Sequence, residues 1–591
     1  MKKENQSTAQ AELCREYGSL RGMSLSGEPC PLRRFAYTQN MYVDRESGGD
    51  AVESIPGFRE FHKFNDAIHS LGVQMVENHR FLLVHSGEGL YRLDLENADE
   101  SLEPTKIADL QNCESHLFTF GSLALITDGS RLLSIDKEGE ATTISEEDYL
   151  TGCSLCALYD GRIFMSGNPD YPERIFFSSK PCEDTPCFYQ TNLLRVNKSG
   201  ASVISLLSYG GMLWVFKSYD DGDGSVILYK TNDEGYCLCR TYSDFKPTGQ
   251  LCSADGKIIF LTEEGLFAIE NPLCDERAFV KRLSRDIEPE LLREDLRNAS
   301  LTFWRGYIAI GCGENIYLCD TESEDGYDWY LITGVGGYEN DRRVYRYSAY
   351  AEEGYFLHPR TNQVTESEAL SIITEDKRRI YYTIEDKKKY AVYPTEQFDG
   401  GDFLPARRLI SDGRLLLFYS DDGRIFIFNT DKRGIIPQSI MDSTDFDEKE
   451  YKRLYGDRIH PMFYSFDRHA PKYMLVTHSD GCGISDLVKS SDGSSLTLRL
   501  KVMNSKPPSI EIFTDGRRHL NQDLTKSATQ PTEISSEERK FLRRAEKYCV
   551  IEHAPSWQEK QICLYTEEFS SPFGLLSISF RYQPKDKIKK G

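Results

Sequence analysis

The feature that most constrains this chain is a pair of short apolar runs joined by a Gly- or Asp-containing turn, repeated about every 40–50 residues. The pairs are 81–85 with 90–94, 123–127 with 131–135, 162–165 with 174–177, 212–216 with 225–229, 257–261 with 266–269, 307–310 with 315–318, and 414–418 with 424–428. Each run holds four to six residues and is rich in β-branched or aromatic residues, the composition of strands. The Gly and Asp-Gly turns supply the positive φ angles that tight hairpins need. Unbroken apolar runs, in place of strict alternation, belong to strands covered on both faces. Stacked propeller blades cover their inner and middle strands in that way, so the period predicts an all-β chain built on a β-propeller. Unrelated sandwiches sharing hairpins would instead space strands about 8–12 residues apart with no longer period.

The gap between the sixth and last pairs is about twice the period and has room for one further blade, with strands drawn from 345–350, 355–357 and 380–384. The expected total is about seven blades, with six to eight open. Helix is scarce: 286–298 reads as one short helix with an acidic first turn, and 445–454 as another that ends on Lys452 and Arg453. From about residue 462 the pattern changes to alternating strands at 496–502, 509–513, 561–565 and 575–582. These read as a small C-terminal β-sandwich-like domain, with 517–544 as an exposed loop ending in helix. The expected organisation is an N-terminal extension (1–34), a propeller (35–440), a helical connector (441–461), the sandwich-like domain (462–583) and a basic tail (584–591).

The 591-residue chain carries a formal net charge of −22. So acidic a surface repels the phosphate backbone, which argues against tight nucleic-acid binding but not against a wall past which DNA slides. No polybasic cluster suits an anionic membrane, and no window approaches about 18 consecutive apolar residues. The N-terminus has two lysines but no apolar run behind them, so an intracellular protein is expected. The 16 cysteines are sparse for this length, and several, such as Cys252, Cys319 and Cys563, sit inside apolar runs as small hydrophobes.

Few constellations suggest chemistry. His460, His469, His478 and Cys482 invite a zinc reading, but their spacing does not match a compact ligand pattern, and turn or strand-edge roles are the plainer reading. Cys153 and Cys156 form a C-x-x-C that does not open a helix, so nothing lowers a thiol pKa there. A zinc knot joining them to Cys182 and Cys187 is the alternative. Residues 220–224 (DDGDG) lack the order and final glutamate of a calcium loop. There is no nucleophile elbow, metalloprotease helix, P-loop or dinucleotide fingerprint. No catalytic, cofactor-binding or metal-binding residue is therefore assigned, and no cofactor is expected.

Residues 40–44 (NMYVD) and 53–59 (ESIPGFR) precede the first hairpin; 169–178 (PDYPERIFFS) and 213–217 (LWVFK) lie further on. Together they resemble tailed-phage structural propellers, the tail nozzle and packaged-DNA stabilisation proteins, over 35–270. That resemblance implies a structural component of a phage or prophage particle. Such a component would assemble with copies of itself or with neighbouring tail or connector proteins, around a possible DNA-passage channel. It would reside in host cytoplasm during assembly and then in the virion. Two other classes stay open: a cytoplasmic propeller acting as a protein-interaction scaffold, and a propeller enzyme, a hydrolase or lyase, working at the channel mouth.

Overall fold

All seven hairpins become the second and third strands of four-stranded antiparallel units, six of them separate sheets and one the start of a nine-stranded sheet, and these units are the blades of a seven-bladed β-propeller. The computed structural model describes residues 13–17, 20–25, 34–45, 51–55, 57–95, 103–179, 186–196, 201–218, 224–232, 235–273, 278–321, 327–338, 353–357, 364–368, 370–373, 379–385, 388–394, 403–428, 473–477, 495–502, 508–514, 517–523, 545–552, 560–566 and 573–582. Blade 1 spans 68–109, blade 2 116–145, blade 3 155–195, blade 4 202–245, blade 5 247–282 and blade 6 300–332. Blade 7 takes three strands from 409–428 and its fourth, Phe58–Lys63, from the other end of the ring. Phe58 pairs with Phe428, and Lys63 with Arg424. First strands of successive blades neighbour one another from blade 1 to blade 7 and back to blade 1, so the ring is closed.

The apolar runs explain the stacking. In a strand, successive side chains point to opposite faces. Leu82 and Val84 of blade 1 pack with Leu417, Ile425 and Ile427 of blade 7. Leu83, between them, packs with Ala124 and Ile126 of blade 2. Leu125, between those, packs with Ile163 and Met165 of blade 3. The same handover continues through Phe164 to Leu213 and Val215, and through Trp214 and Phe216 to Ile258 and Phe260. It then passes from Ile259 and Leu261 to Ile308 and Ile310. The core is thus a set of wedges between blades, and each fully buried aliphatic side chain in it contributes about 1.5–3 kcal/mol.

Closure is aromatic. Phe58 is fully buried, with its ring 4.9 Å from Phe418, 5.7 Å from Phe426 and 5.5 Å from Phe428. Where the closing strand leaves blade 7, the Phe64 N–H donates to Gly423 O at 2.9 Å. Gly423 has φ +82°, and a Cβ there would meet the Phe64 and Asp66 carbonyl oxygens at 2.6 Å, so this turn needs glycine. Arg80 of blade 1 reaches Asp412 of blade 7 at 2.7 Å.

The further blade expected between the sixth and last hairpins does not enter the ring, because the first strands of blades 6 and 7 are direct neighbours. Residues 336–405 form a separate compact unit instead. Its strands Glu353–Leu357, Val364–Glu368, Leu370–Ile373, Arg379–Glu385 and Lys388–Pro394 make one five-stranded sheet, and Gly336–Tyr338 pairs with Phe403–Pro405. The expected strand at 345–350 lies outside the described residues.

The C-terminal strands build two further stretches of sheet with help from the N-terminal segment, in the same compact unit as the propeller. One sheet joins Met41–Val43, Val52–Ser54, Phe573–Tyr582, Ser495–Val502 and Ala545–Glu552, with Leu13–Tyr17 also pairing to Phe573–Tyr582. The other continues directly from blade 6: its fourth strand Asp328–Ile332 pairs in parallel with Phe35–Gln39, followed by Tyr473–Thr477, Lys560–Thr566, Ser509–Thr514 and Arg517–Asp523. Arg517–Asp523, expected as loop, is therefore a strand paired with Ser509–Thr514.

Asn40 and Arg34 fasten this joint. Asn40 has φ +54°, a left-handed turn that asparagine tolerates. Its side-chain oxygen accepts from Thr333 N at 2.9 Å and its N–H donates to Leu331 O at 2.8 Å. The Arg34 guanidinium donates to Asp328 at 2.9 Å and to Asp286 at 3.4 Å, tying the N-terminal segment to blade 6 and to the connector before it.

That connector was expected to be helical over 286–298. It holds only the 3-10 turn Ser284–Ile287 and the short helix Glu288–Leu291, because Leu283, Ile287, Leu291 and Leu296 are drawn into the wedge between blades 5 and 6. The helix expected at 445–454 lies outside the described residues. Among the described residues no helix is long and apolar enough to cross a membrane.

Candidate functional site

Antiparallel strand order puts the blade-to-blade connectors and the second-to-third-strand turns at one end of the ring, here called the loop face. Polar side chains at the ends of second strands hold those connectors. The Ser86 hydroxyl donates to Asp66 O at 2.9 Å, Thr127 to Cys153 O at 3.0 Å, and the buried Lys217 ammonium to Val196 O at 2.9 Å. In each case a carbonyl of an irregular segment gains a donor that no ladder supplies, and those of Cys153 and Val196 belong to buried residues.

The most developed polar cluster on this face lies between blades 1 and 2. His85 is the penultimate residue of the second strand of blade 1 and is fully buried. Its Nε2 lies 3.1 Å from Gly87 O and its Nδ1 2.7 Å from Ser115 Oγ, which is in turn 2.6 Å from Ser70 Oγ. A carbonyl only accepts, so Nε2 carries the proton. Nδ1 then accepts from the Ser115 hydroxyl, and Ser115 accepts from Ser70. The His69 ring stands 4.8 Å from that of His85, and its Nε2 lies 2.8 Å from Asn112 Oδ1. Asp128, in the adjoining turn of blade 2, accepts from the N–H groups of Gln111, Ser130 and Arg131. Burial, then the neighbouring His69, lowers the His85 pKa from 6.5 to about 4.

A serine hydroxyl donating to a histidine is the opening of a nucleophile–base pair. The rest of this arrangement differs. The second His85 nitrogen donates to a backbone carbonyl and not to an orienting carboxylate. With a pKa near 4 the ring is a poor store for a proton near neutrality. Ser115 is 4% exposed, shielded from any incoming substrate. The network is built to bind the 110–115 connector to blade 1.

Of the sequence-level candidates, Cys153, Cys156 and Cys187 lie among the described residues. Cys153 is buried, its thiol donates to Tyr149 O at 3.3 Å, and burial pushes its pKa up to about 12, which suits a core residue. Cys156 lies half-buried in the first strand of blade 3, and Cys187 is exposed just before that blade's fourth strand. Cys182, His460, His469, His478, Cys482 and residues 220–223 lie outside the described residues. Among the described residues no three His, Cys, Asp or Glu side chains are grouped so as to hold a metal ion. The His85 cluster had no local sequence signal: Ser115 is 30 positions away, and His85 reads only as the polar end of an apolar run.

No family model and no curated protein matches the sequence. Among solved structures, the WD40 domain of Pan2 from Neurospora crassa is 5% identical, covers 64% of this chain and 97% of its own, and gives a TM-score of 0.38. BamB from Moraxella catarrhalis is 11% identical, covers 65% and 92%, and gives 0.32. A streptogramin B lyase is 12% identical, covers 63% and 97%, and gives 0.33. The assignment as a propeller rests on the chain's own seven blades and their closure.

Proposed function

We propose that this chain is a protein-interaction scaffold and not an enzyme. The observation that carries this reading is the use made of its polar groups on the loop face. His85, Ser115, Thr127 and Lys217 are buried and engaged in holding connectors. A closed ring with fixed connectors and edge strands on the rims of blades 1 to 5 offers rigid surfaces, and binding to a preformed surface loses little conformational entropy. The test is purification of the chain from its native source at natural abundance, with chemical cross-linking and size-exclusion chromatography. Stoichiometric co-elution with one or a few proteins, cross-linked to propeller residues, supports the scaffold. A chain that elutes alone, or that turns over a small molecule with saturable kinetics, contradicts it.

A narrower reading, a structural part of a phage or prophage particle, is carried by the resemblance of residues 40–44, 53–59, 169–178 and 213–217. Those residues make the Asn40 joint, the closing strand and core strands of blades 3 and 4. The likeness therefore lies in fold-building positions, which speak for architecture before assembly. Neighbouring terminase, portal and capsid genes, with the chain present in purified particles, would favour the narrower reading.

A further inference from the structure

We propose that Cys237 and Cys239, on the outermost strand of blade 4, form a modification site at which a low-molecular-weight disulfide such as oxidised glutathione drives a reversible intramolecular bridge. The site does not rest on the scaffold reading, and either can fail alone.

The two thiols are placed unlike the other described cysteines. Cys153, Cys312 and Cys319 are buried in the wedges between blades. Cys237 and Cys239 form the one C-x-C of the chain, and they lie on a surface strand with Cys239 exposed and Cys237 half-buried. In a regular strand two positions span about 6.7 Å, near the top of the roughly 4.4–6.8 Å between Cα atoms that a disulfide bridges. This strand is not regular there. Leu228 of the third strand lies opposite Arg240 and Tyr229 opposite Leu238, so Cys239 is an extra residue, a β-bulge that bends and shortens the chain. The Cys239 thiol also reaches back along the strand, donating to Cys237 O at 3.7 Å, while the Cys237 thiol donates across the ladder to Lys230 O at 3.4 Å. The exposed sulfur is thus held over the residue that carries its partner.

A bridge between these positions closes so short a loop that it removes little entropy from the unfolded chain, so it serves poorly as a permanent staple. An exposed thiol beside a half-buried one is instead the arrangement for exchange, the outer sulfur for entry and the inner one for resolution. The Cys239 thiolate attacks one sulfur of the small disulfide, forming a mixed disulfide and releasing one small thiol. Cys237 then attacks Cys239 Sγ, and the second small thiol leaves. The chain gives up two thiol protons and two electrons, and the small disulfide takes both and becomes two thiols. Bridging withdraws both S–H donors from the carbonyls of Lys230 and Cys237 and fixes the bulge, so the modification alters the outer ladder of blade 4.

The test uses the full chain, reduced and then equilibrated with mixtures of reduced and oxidised glutathione, alkylated with iodoacetamide and mapped by mass spectrometry. Trypsin releases both cysteines in one peptide, 231–240. As the oxidised share rises, that peptide should escape alkylation at both thiols and lose two hydrogens in mass. Dithiothreitol should return it to the doubly alkylated form. In Cys237→Ser the resolving thiol is gone, so glutathione should remain on Cys239 at a level at least about tenfold above that in the natural chain, where a neighbouring thiol of high effective concentration displaces it. A thermal melt matching that of the natural chain excludes misfolding of the variant as the cause. A peptide that stays doubly alkylated across the series overturns the proposal. So does glutathione retained equally on Cys239 in both proteins, or a bridge from either cysteine to Cys187 or to a second chain.

Discussion

Lowering the pH should loosen the junction of blades 1 and 2 through a single histidine. His85 is fully buried, donates from Nε2 to Gly87 O and accepts at Nδ1 from Ser115. Protonation puts a second N–H where the Ser115 hydroxyl donates and places a cation 4.8 Å from the His69 ring. The folded pKa near 4 lies below the ordinary 6.5, so the folded state binds fewer protons than the unfolded one as pH falls. The stabilising effect is therefore intact above about pH 6.5 and is lost progressively towards pH 4, below which no further loss arises from this group. A gap of about 2.5 pH units at 1.36 kcal/mol each corresponds to about 3 kcal/mol, of which about 2 kcal/mol is lost between pH 7 and 4.5.

The assay is urea unfolding followed by near-ultraviolet circular dichroism at pH 7 and 4.5, comparing the natural chain with His85→Gln. Glutamine keeps a donor and an acceptor but does not titrate. The variant should begin about 1–2 kcal/mol less stable at pH 7 and lose about 2 kcal/mol less than the natural chain on acidification. Other carboxylates titrate in both proteins and cancel in the difference. Identical pH dependence of the two proteins would refute the reasoning, because the ring would then carry no proton-linked energy.

Other predictions concern the fold's fixed points. Phe58→Ala removes the ring that meets Phe418, Phe426 and Phe428, and should cost about 3–5 kcal/mol in a urea titration. Asn40→Ala loses the bond to Thr333 N and puts alanine at φ +54°, so a loss of about 2–3 kcal/mol is expected. Asn40→Gly relieves the backbone and should recover about 1 kcal/mol of that, measured the same way. Alkylation by iodoacetamide at pH 8, mapped by mass spectrometry, should label the exposed Cys187 and spare Cys153, whose thiol burial holds near pKa 12.

The blades were legible because each wedge is written locally. Runs such as 81–84 and 123–126 are apolar at every position, since alternate residues serve two neighbouring blades. Closure was not legible. Phe58–Lys63 (FREFHK) has no apolar run, and its partner strand lies more than 360 positions away, so no short-range pattern links them. The same distance hid the pairing of Phe35–Gln39 with Tyr473–Thr477 and of Val52–Ser54 with Phe573–Tyr582. At 355–357 and 380–384 strand propensity was read correctly and sheet membership was not, because propensity says nothing about which sheet a strand joins. The connector after blade 5 has helical composition but spends its leucines filling a wedge. The His85 cluster is assembled from three segments, and only the strand register brings Ser70, His85 and Ser115 together.

The central claim is a seven-bladed ring closed by its N-terminal strand, and hydrogen–deuterium exchange of the full chain tests it most directly. Closure predicts that amides of Phe58–Lys63 paired to 424–428 exchange as slowly as those of the third-to-fourth strand ladders in blades 3 to 5, and that Phe58→Ala speeds exchange in both segments together. Exchange of 58–63 at the rate of an unpaired segment, with 424–428 unaffected by the substitution, would contradict it.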